Sequence, residues 1–268
     1  MKGIVIAAGV GSRMGALTEA LPKCLLPVAG RPLIDWTIER LRAAGCTEIV
    51  VIVGYRGELV RPPGAIVVEN SRYRDNNILH SLMTAREHFD GPLLVSYSDI
   101  WVEEHIHRRL AAAAGDIVPA VDTDWQAYYE GRLLHPLAEA EKVHFDDSAR
   151  GVRFGKHLDE TPGSGLRCGE FLGLWRMSAT GAARFRDLFL ELEARLSPEA
   201  PFQNAALWRK AYVTDLFQEM ADRGVPIDCL QVRRGWAELD TREDYERLPR
   251  IAARQDLASI VAQAKERA

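Results

Sequence analysis

Short apolar runs alternate with helical patterns along the first 122 residues of the chain. Runs rich in Ile, Val and Leu predict buried strands over residues 4–8, 49–53, 66–68, 93–97 and 117–121. Apolar residues at helical spacing predict helices over residues 32–44, 76–88 and 103–114. This alternation predicts an α/β fold with a doubly wound, mostly parallel, Rossmann-like mixed sheet and helices on both faces. In such a sheet we expect a ligand at the carboxyl ends of the strands.

The alternation breaks after about residue 122. Further strands are predicted over residues 140–145, 151–155, 170–177 and 227–232. Further helices are predicted over residues 178–195, 202–210 and 213–223, followed by a helical region at the C-terminus. We expect these elements to extend the same sheet, so that residues 1–268 form a single domain with two halves, 1–122 and 123–268.

Composition excludes some classes of partner. The 34 Lys and Arg residues against 38 Asp and Glu residues leave a net charge of −4, which provides no basic field for nucleic acid or a membrane surface. The apolar run at the N-terminus is too short for a signal peptide or a membrane span. Four scattered cysteines, with no C-x-x-C pair, are expected to be buried free thiols. We therefore expect a cytoplasmic protein, and the sequence is compatible with a homodimer.

The first predicted strand runs into a loop that contains Gly9, Gly11 and Gly15. Glycines let backbone amides approach a triphosphate closely, because no Cβ atom intervenes. Arg13 lies inside the loop and Lys23 a little beyond it, where fixed positive charge would stabilise charge at an attacked phosphorus and on departing pyrophosphate. The loop has neither G-x-G-x-x-G spacing nor a Walker Gly-Lys-Ser/Thr. The alternative is a glycine-rich turn with two solvated charges.

Three segments resemble the nucleotidyltransferases that activate sugar phosphates and phospho-alcohols. They are A-A-G-x-G-S-R-M, P-K-x-L-x-P-V and G-R-P-L-I, within the first third of the chain. The resemblance implies the nucleotide-diphospho-sugar transferase type of fold, with a nucleotide-binding half over 1–122 and an acceptor-binding half over 123–268. It also implies nucleotide-binding positions at Ala7, Ala8, Gly9, Gly11, Ser12, Arg13 and Lys23. Of these, Arg13 and Lys23 are the expected catalytic residues.

Two aspartates are candidates to hold Mg²⁺. Asp99 ends the fourth predicted strand, and an acidic residue there suits a hard cation that takes oxygen ligands. The resemblance supplies a partner, because a W-x-E-I/L-D-T/S segment near the C-terminus carries the second aspartate in the family, here Asp240. Many relatives carry a further aspartate where this chain has Tyr97. The alternatives are a strand-end turn for Asp99 and a helix cap at Asp240-Thr241.

The segment Asn76-Asn77-Ile-Leu-His-Ser81-Leu indicates which nucleotide triphosphate the protein uses. It resembles the N-N-x-x-S-L segment of the cytidylyltransferases that act on phosphocholine and on phosphonates. The resemblance implies CTP as substrate, with Asn77 and Ser81 near the pyrimidine or ribose. The alternative is that the asparagines simply cap a helix.

The second half offers candidates for an acceptor pocket. Trp125 and Tyr129 could face an ammonium group through cation–π contact. The charged candidates for the acceptor's phosphorus oxygens are Arg132, Lys142 and Lys156. Glu170, in a segment that resembles the phosphonate-linked branch of the family, is a further acceptor-binding candidate. The alternative is that the aromatic residues belong to the core or a lid. Trp175 and Trp208 are expected in the core, and His105 and His107 on the surface.

These features predict a Mg²⁺-dependent cytidylyltransferase that moves CMP from CTP to a small phosphonate or phospho-alcohol, of the 2-aminoethylphosphonate or phosphocholine type, and releases pyrophosphate. One alternative is a sugar-1-phosphate nucleotidyltransferase that uses UTP, dTTP or GTP. An alternative of another class is a non-catalytic nucleotide-binding module. The joint presence of Arg13, Lys23, Asp99 and Asp240 argues against the latter.

Overall fold

The computed structural model of the chain describes residues 1–248, 250 and 251. Its strands are β1 (Lys2–Ala7), β2 (Pro27–Val28), β3 (Arg31–Pro32), β4 (Glu48–Val53), β5 (Ala65–Glu69), β6 (Leu93–Tyr97), β7 (Ile100–Val102), β8 (Ile117–Asp122), β9 (Lys142–Phe145), β10 (Gly151–Gly155), β11 (Arg167–Met177), β12 (Leu230–Val232) and β13 (Trp236–Glu238). Its α-helices are α1 (Leu33–Ala43), α2 (Ile78–Met83), α3 (Glu104–Ala111), α4 (Gln126–Tyr129), α5 (Ala179–Arg195) and α6 (Val213–Asp222). Residues 242–248 are also helical. The rest of the predicted C-terminal helical region, over 252–268, lies outside the described residues.

Nine strands of the described chain form one mixed sheet in the order β10-β9-β11-β6-β1-β4-β5, with β8 joined to β11 and β12 to β8. The centre is parallel, because β1 pairs in parallel with β4 and β6, and β4 with β5. The long strand β11 runs antiparallel to β6, β8 and β9. Strands from both halves of the sequence therefore belong to the same sheet.

Helices cover both faces of this sheet, which confirms the doubly wound fold. On one face, α2, α5 and α6 contribute buried residues such as Leu82, Phe185 and Phe217. On the other face, α1 and α3 contribute Ile38 and Leu110. The central strands are apolar on both sides for this reason, since each side packs against helices.

Three sequence predictions for individual elements are wrong. Residues 202–210 do not form a helix: Phe202 bridges to Ala205, and only Trp208–Lys210 form a 3₁₀ turn. Gln203 has a φ of +48°, outside the right-handed helical region, which interrupts a helix at this point. The N–H of Asn204 donates to Asp215 Oδ1. The predicted helix over 76–88 is shortened to α2, and the predicted strand over 227–232 begins only at residue 230.

The predicted surface position of His107 is also wrong. Its side chain is buried, and its Nδ1 lies 3.2 Å from the carbonyl oxygen of Glu103. Burial lowers the pKa of His107 to about 4, because the charged imidazolium is disfavoured there. Trp175 and Trp208 are in the core, as predicted.

All four cysteines are free thiols, as predicted, and Cys168 alone is only half-buried. In the part of the chain that the structure describes, no helix is both long and apolar enough to cross a membrane.

Candidate active site

The carboxyl ends of β1 and β6 open into a cavity of about 330 Å³. This is the edge of the sheet at which the strand pattern predicts a ligand. The predicted site residues that line the cavity are Ala7, Gly9, Gly11, Ser12, Arg13, Lys23, Asn77, Asp99, Lys156, Glu170 and Asp240. The fold therefore brings together, at one place, side chains from the whole length of the sequence.

The loop after β1 needs glycine at position 11. Gly11 has a φ of +66°, in the left-handed region that disfavours a side chain. A Cβ atom there would also lie 3.3 Å from Lys23 Cβ and from Thr18 Cγ2. The hydroxyl of Thr18 donates to the carbonyl oxygen of Gly11 and ties the loop to the following 3₁₀ turn. The backbone next to Lys23 is thus held open, as a phosphate-binding loop requires.

Lys23 lies between the two candidate metal ligands. Its Nζ donates to Asp99 Oδ2 and to Asp240 Oδ1, each at 2.6 Å. Arg13 donates to the other oxygen of Asp240 at 2.8 Å. Burial disfavours the ammonium ion, but the two carboxylates outweigh this and raise the pKa of Lys23. The pKa of Asp240 is lowered, since Lys23 and Arg13 together more than offset its burial.

The arrangement of Asp99 and Asp240 suits a divalent cation. One oxygen of each carboxylate lies on the same ammonium group, so the two side chains already converge on a single positive charge. Glu238 and His135 are close by, with one ligand atom each within 4.8 Å of one another and of Asp240. Oxygen ligands of this kind are those that Mg²⁺ prefers. Asp99 and Asp240 are therefore the residues of this site that could hold Mg²⁺.

The side chains of Thr241 and Asp244, and not that of Asp240, cap the start of the helix over 242–248. Asp244 Oδ2 accepts the N–H groups of Asp240 and Thr241 and the hydroxyl of Thr241. Thr241 Oγ1 in turn accepts the N–H of Asp244, which is the reciprocal pattern of a capping box. The side chain of Asp240 is left to bind Lys23 and Arg13.

Two of the predicted nucleotide contacts do not line the cavity. Ala8 is buried behind it, and its carbonyl oxygen accepts the N–H of Tyr55. Ser81 is buried as well, and its hydroxyl accepts a hydrogen bond from Asn70. Asn77 does line the cavity, at the start of α2, where its amide also donates to the carbonyl oxygen of Lys210. The direct-contact predictions for Ala8 and Ser81 are therefore corrected to packing and network positions.

The predicted aromatic pocket for an ammonium group is not part of the cavity wall. Trp125 and Tyr129 are buried, and the chain supplies its own cations to their rings. Lys142 Nζ lies 5.9 Å from the centre of the Trp125 ring. The Arg132 guanidinium lies 4.9 Å from the centre of the Tyr129 ring and 4.5 Å from that of Tyr128. These faces are covered, so the alternative that the aromatic residues belong to the core holds.

Arg132 and Lys142 are likewise not in the cavity wall. Arg132 forms ion pairs with Glu238 at 2.8 Å and with Asp244 at 2.9 Å, and its side chain has no exposed surface. Lys142 is buried, with its Nζ 3.5 Å from the carbonyl oxygen of Lys156. Both cations stabilise the protein interior and are not placed to contact an acceptor.

We call the part of the cavity lined by Glu139, Glu141, Lys156 and Tyr212 the far wall. Of these four residues, only Lys156 was a candidate in the sequence. Glu141 accepts hydrogen bonds from Thr214 at 2.7 Å and from Tyr97 at 3.4 Å, and burial raises its pKa to about 7. Lys156 pairs with Glu139 at 3.0 Å and lies over the ring of Tyr212. Glu141 directly precedes Lys142, which is the first residue of β9. The sequence alone does not show which of these two side chains faces the cavity.

Glu170 lies on β11, at the side of the cavity nearest Tyr129. The Tyr129 hydroxyl donates to Glu170 Oε1 at 2.5 Å, so Tyr129 holds this carboxylate and does not itself face a ligand. Burial raises the pKa of Glu170, and the negative charge of Glu238 adds to that effect.

The sequence matches the family described as MobA-like NTP transferase domain over residues 3–169. The chain belongs to this family. It is a nucleotidyltransferase, and the prediction of an enzyme is confirmed. The resemblance inferred from the N-terminal motifs is confirmed as well.

The chain is similar in sequence to two named cytidylyl-transferring enzymes and in fold to a third protein of known structure. CTP:phosphoglutamine cytidylyltransferase of Campylobacter jejuni is 25% identical over 260 residues, which cover 92% of this chain and 98% of that protein. CMP-5'-(3-aminopropyl)phosphonate synthase of Streptomyces rubellomurinus is 30% identical over 251 residues, which cover 84% of this chain and 37% of that longer protein. CTP:phosphocholine cytidylyltransferase of Streptococcus pneumoniae has the same fold, with a TM-score of 0.68 and 20% identity over 94% of this chain and 98% of that one. The predicted type of fold is confirmed.

Proposed function

We propose that this nucleotidyltransferase transfers CMP from CTP to a small phosphonate or phospho-alcohol and releases pyrophosphate. The observation that carries the proposal is that Lys23 contacts both Asp99 and Asp240 beside the glycine loop, in one cavity. The choice of CTP as the nucleotide is supported by the names of the two relatives and by the position of Asn77 in the cavity wall. The acceptor class is supported by the same names, since each describes a small compound that carries a phosphoryl or phosphonyl group.

The reaction we propose is an in-line displacement at the α-phosphorus of CTP. Backbone amides of the Gly9–Gly11 loop and the Arg13 side chain hold the triphosphate. Lys23 stabilises the negative charge that develops at the α-phosphorus. An oxygen of the acceptor's phosphorus group forms the new P–O bond while the bond to the bridging oxygen of pyrophosphate breaks. No general base is required, because the acceptor oxygen is already an anion at neutral pH.

Mg²⁺ is part of the proposal. When bound, the ion would neutralise phosphate charge, and Asp99 and Asp240 are the residues that would hold it. Lys156 lies on the far wall, where it pairs with the more exposed Glu139, and is the proposed contact for the phosphorus oxygens of the acceptor. The cytoplasmic location and the homodimer stay predictions.

A pyrophosphate-release assay tests this function. Wild-type enzyme is incubated with CTP, UTP, dTTP, GTP or ATP, each with 2-aminoethylphosphonate, phosphocholine, phosphoglutamine or glucose 1-phosphate. The expected result is release with CTP and one of the first three acceptors, dependent on Mg²⁺ and abolished by EDTA. Release with UTP or dTTP and glucose 1-phosphate alone would instead identify a sugar-1-phosphate nucleotidyltransferase.

A further inference from the structure

Glu170 lies in the cavity wall, and only one of its two carboxylate oxygens accepts a hydrogen bond. The residue is 3% exposed, and its Oε1 accepts the Tyr129 hydroxyl. Its Oε2 is buried and has no hydrogen-bond partner in the described structure. A buried carboxylate oxygen without a donor is costly, so such a group points to a ligand that supplies one.

No cation of the described residues forms an ion pair with Glu170. The nearest candidates are engaged elsewhere, because Arg132 pairs with Glu238 and Asp244, and Lys142 approaches the carbonyl oxygen of Lys156. Burial and the neighbouring charge of Glu238 raise the pKa of Glu170, and the Tyr129 hydroxyl and the more distant charge of Arg132 offset this only in part. A cationic ligand beside Glu170 would favour its ionised form.

The other groups that could receive an ammonium ion are already used. The rings of Trp125, Tyr128 and Tyr129 are covered by Lys142 and Arg132. On the far wall, Glu141 accepts a hydrogen bond on each oxygen, from Tyr97 and from Thr214. Glu170 differs from these groups because it is both in the wall and incompletely bonded.

We propose that Glu170 is the specificity-determining residue for the acceptor and receives a primary ammonium group on its free oxygen, while Tyr129 is a positioning residue that fixes the carboxylate through its hydroxyl. This inference rests on the proposed function for the reaction, but it concerns the end of the acceptor that does not react. It selects a phosphonate or phosphate ester that carries a protonated amine. The acceptor's ammonium group would thus be bound by a charged hydrogen bond to Glu170, and not by the aromatic rings of Trp125 and Tyr129 as the sequence predicts.

The test compares two acceptors that differ only in the amine, 2-aminoethylphosphonate and 2-hydroxyethylphosphonate. Glu170→Gln keeps the shape of the side chain and removes its charge. We expect kcat/KM for the amine to fall about 100-fold, as for loss of one partner of a buried charge pair, and kcat/KM for the alcohol to change less than about threefold. Tyr129→Phe is expected to lower the amine preference about tenfold, with the KM for CTP unchanged, because it only loosens the carboxylate.

Glu141→Gln is the matched control, since it removes a carboxylate from the same cavity. It is expected to affect both acceptors by the same factor and so to leave the ratio of their kcat/KM values unchanged. The proposal would be overturned if Glu141→Gln lowered the ratio of kcat/KM for the amine to kcat/KM for the alcohol while Glu170→Gln left that ratio unchanged. Equal losses for both acceptors in Glu170→Gln would do the same.

Calorimetric binding of the two acceptors to wild-type protein and to Glu170→Gln separates this inference from the proposed function, because binding needs no turnover. Tight amine binding that depends on Glu170, without pyrophosphate release from CTP, would refute the cytidylyl transfer and leave Glu170 as the amine site. Turnover with CTP but equal affinity for amine and alcohol would refute the role of Glu170 alone.

Discussion

Lys23 donates a hydrogen bond of 2.6 Å from its Nζ to Oδ1 of Asp240, a residue 217 positions further along the chain. The same ammonium group bonds Asp99, so one positive charge holds both carboxylates that would bind a metal ion. A metal ion at the proposed site would therefore compete with Lys23 for the same oxygens. A triphosphate offers Lys23 another anionic partner, so nucleotide binding is expected to release the carboxylates.

Replacing Lys23 by Met is expected to have two opposite effects. Turnover should fall about 10²–10³-fold, because one preorganised charge at the reacting phosphorus is lost. Binding of Mn²⁺ without nucleotide, measured by electron paramagnetic resonance, should tighten at least about tenfold, since the competing ammonium group is gone. Lys2→Met, at the opposite end of β1, is the control and should change neither quantity. Unchanged Mn²⁺ affinity in Lys23→Met would refute the competition.

Asp240→Asn and Asp244→Asn are expected to separate the metal site from the helix cap. Asp240→Asn should abolish most activity at low Mg²⁺. It should lower the Tm less than Asp244→Asn does, because Lys23 keeps Asp99 as a partner and Arg13 is half exposed. Asp244→Asn should lower the stability by about 3–5 kcal/mol, since it leaves the buried Arg132 without one of its partners. Thermal unfolding and a Mg²⁺ titration of activity check both. An Asp240→Asn enzyme that is fully active at low Mg²⁺ would contradict the proposed metal site.

Asn77→Ala is expected to weaken nucleotide binding about three- to tenfold, as for the loss of one neutral hydrogen bond. Its matched control is Ser81→Ala, one helical turn further along α2 and outside the cavity wall. Ser81→Ala should reduce stability through the network of Asn70 and leave the KM for CTP unchanged. A higher KM in Ser81→Ala than in Asn77→Ala would restore Ser81 as the nucleotide contact.

Glu141 is expected to make stability depend on pH. Its pKa is raised from 4.5 to about 7 by burial, so between these values the folded protein holds a proton that the unfolded chain has lost. The free energy of unfolding should then fall as the pH rises from about 4.5 to 7, and this contribution should be constant above pH 7. Denaturant unfolding of wild type and Glu141→Gln across this range measures it. A stability difference between the two proteins that does not vary with pH would refute the raised pKa.

The local sequence determines the strands and loops that form the edge of the sheet around Gly9 and Asp99. The run of β-branched residues before Gly9 and the glycines after it specify a buried strand that opens into a loop, whatever the rest of the chain does. The same holds for Asp99, because a carboxylate that directly follows an apolar strand must lie at the carboxyl edge of the sheet. These features allowed several residues of one cavity wall to be predicted, namely Ala7, Gly9, Gly11, Ser12, Arg13, Lys23, Asn77 and Asp99, whereas Ala8 and Ser81 lie outside that wall.

The acceptor half was decided only by tertiary structure. At the start of β9, the local pattern does not reveal whether Glu141, just before the strand, or Lys142, its first residue, faces the cavity, since that depends on the strands and helices packed against each side. Nor does it reveal that Arg132 covers the ring of Tyr129, because a cation and an aromatic ring close in sequence can either bind each other or bind a ligand. The physical reason is that burial and pairing of charge are properties of the assembled interior, where the carboxylate of Glu170 is left without a partner.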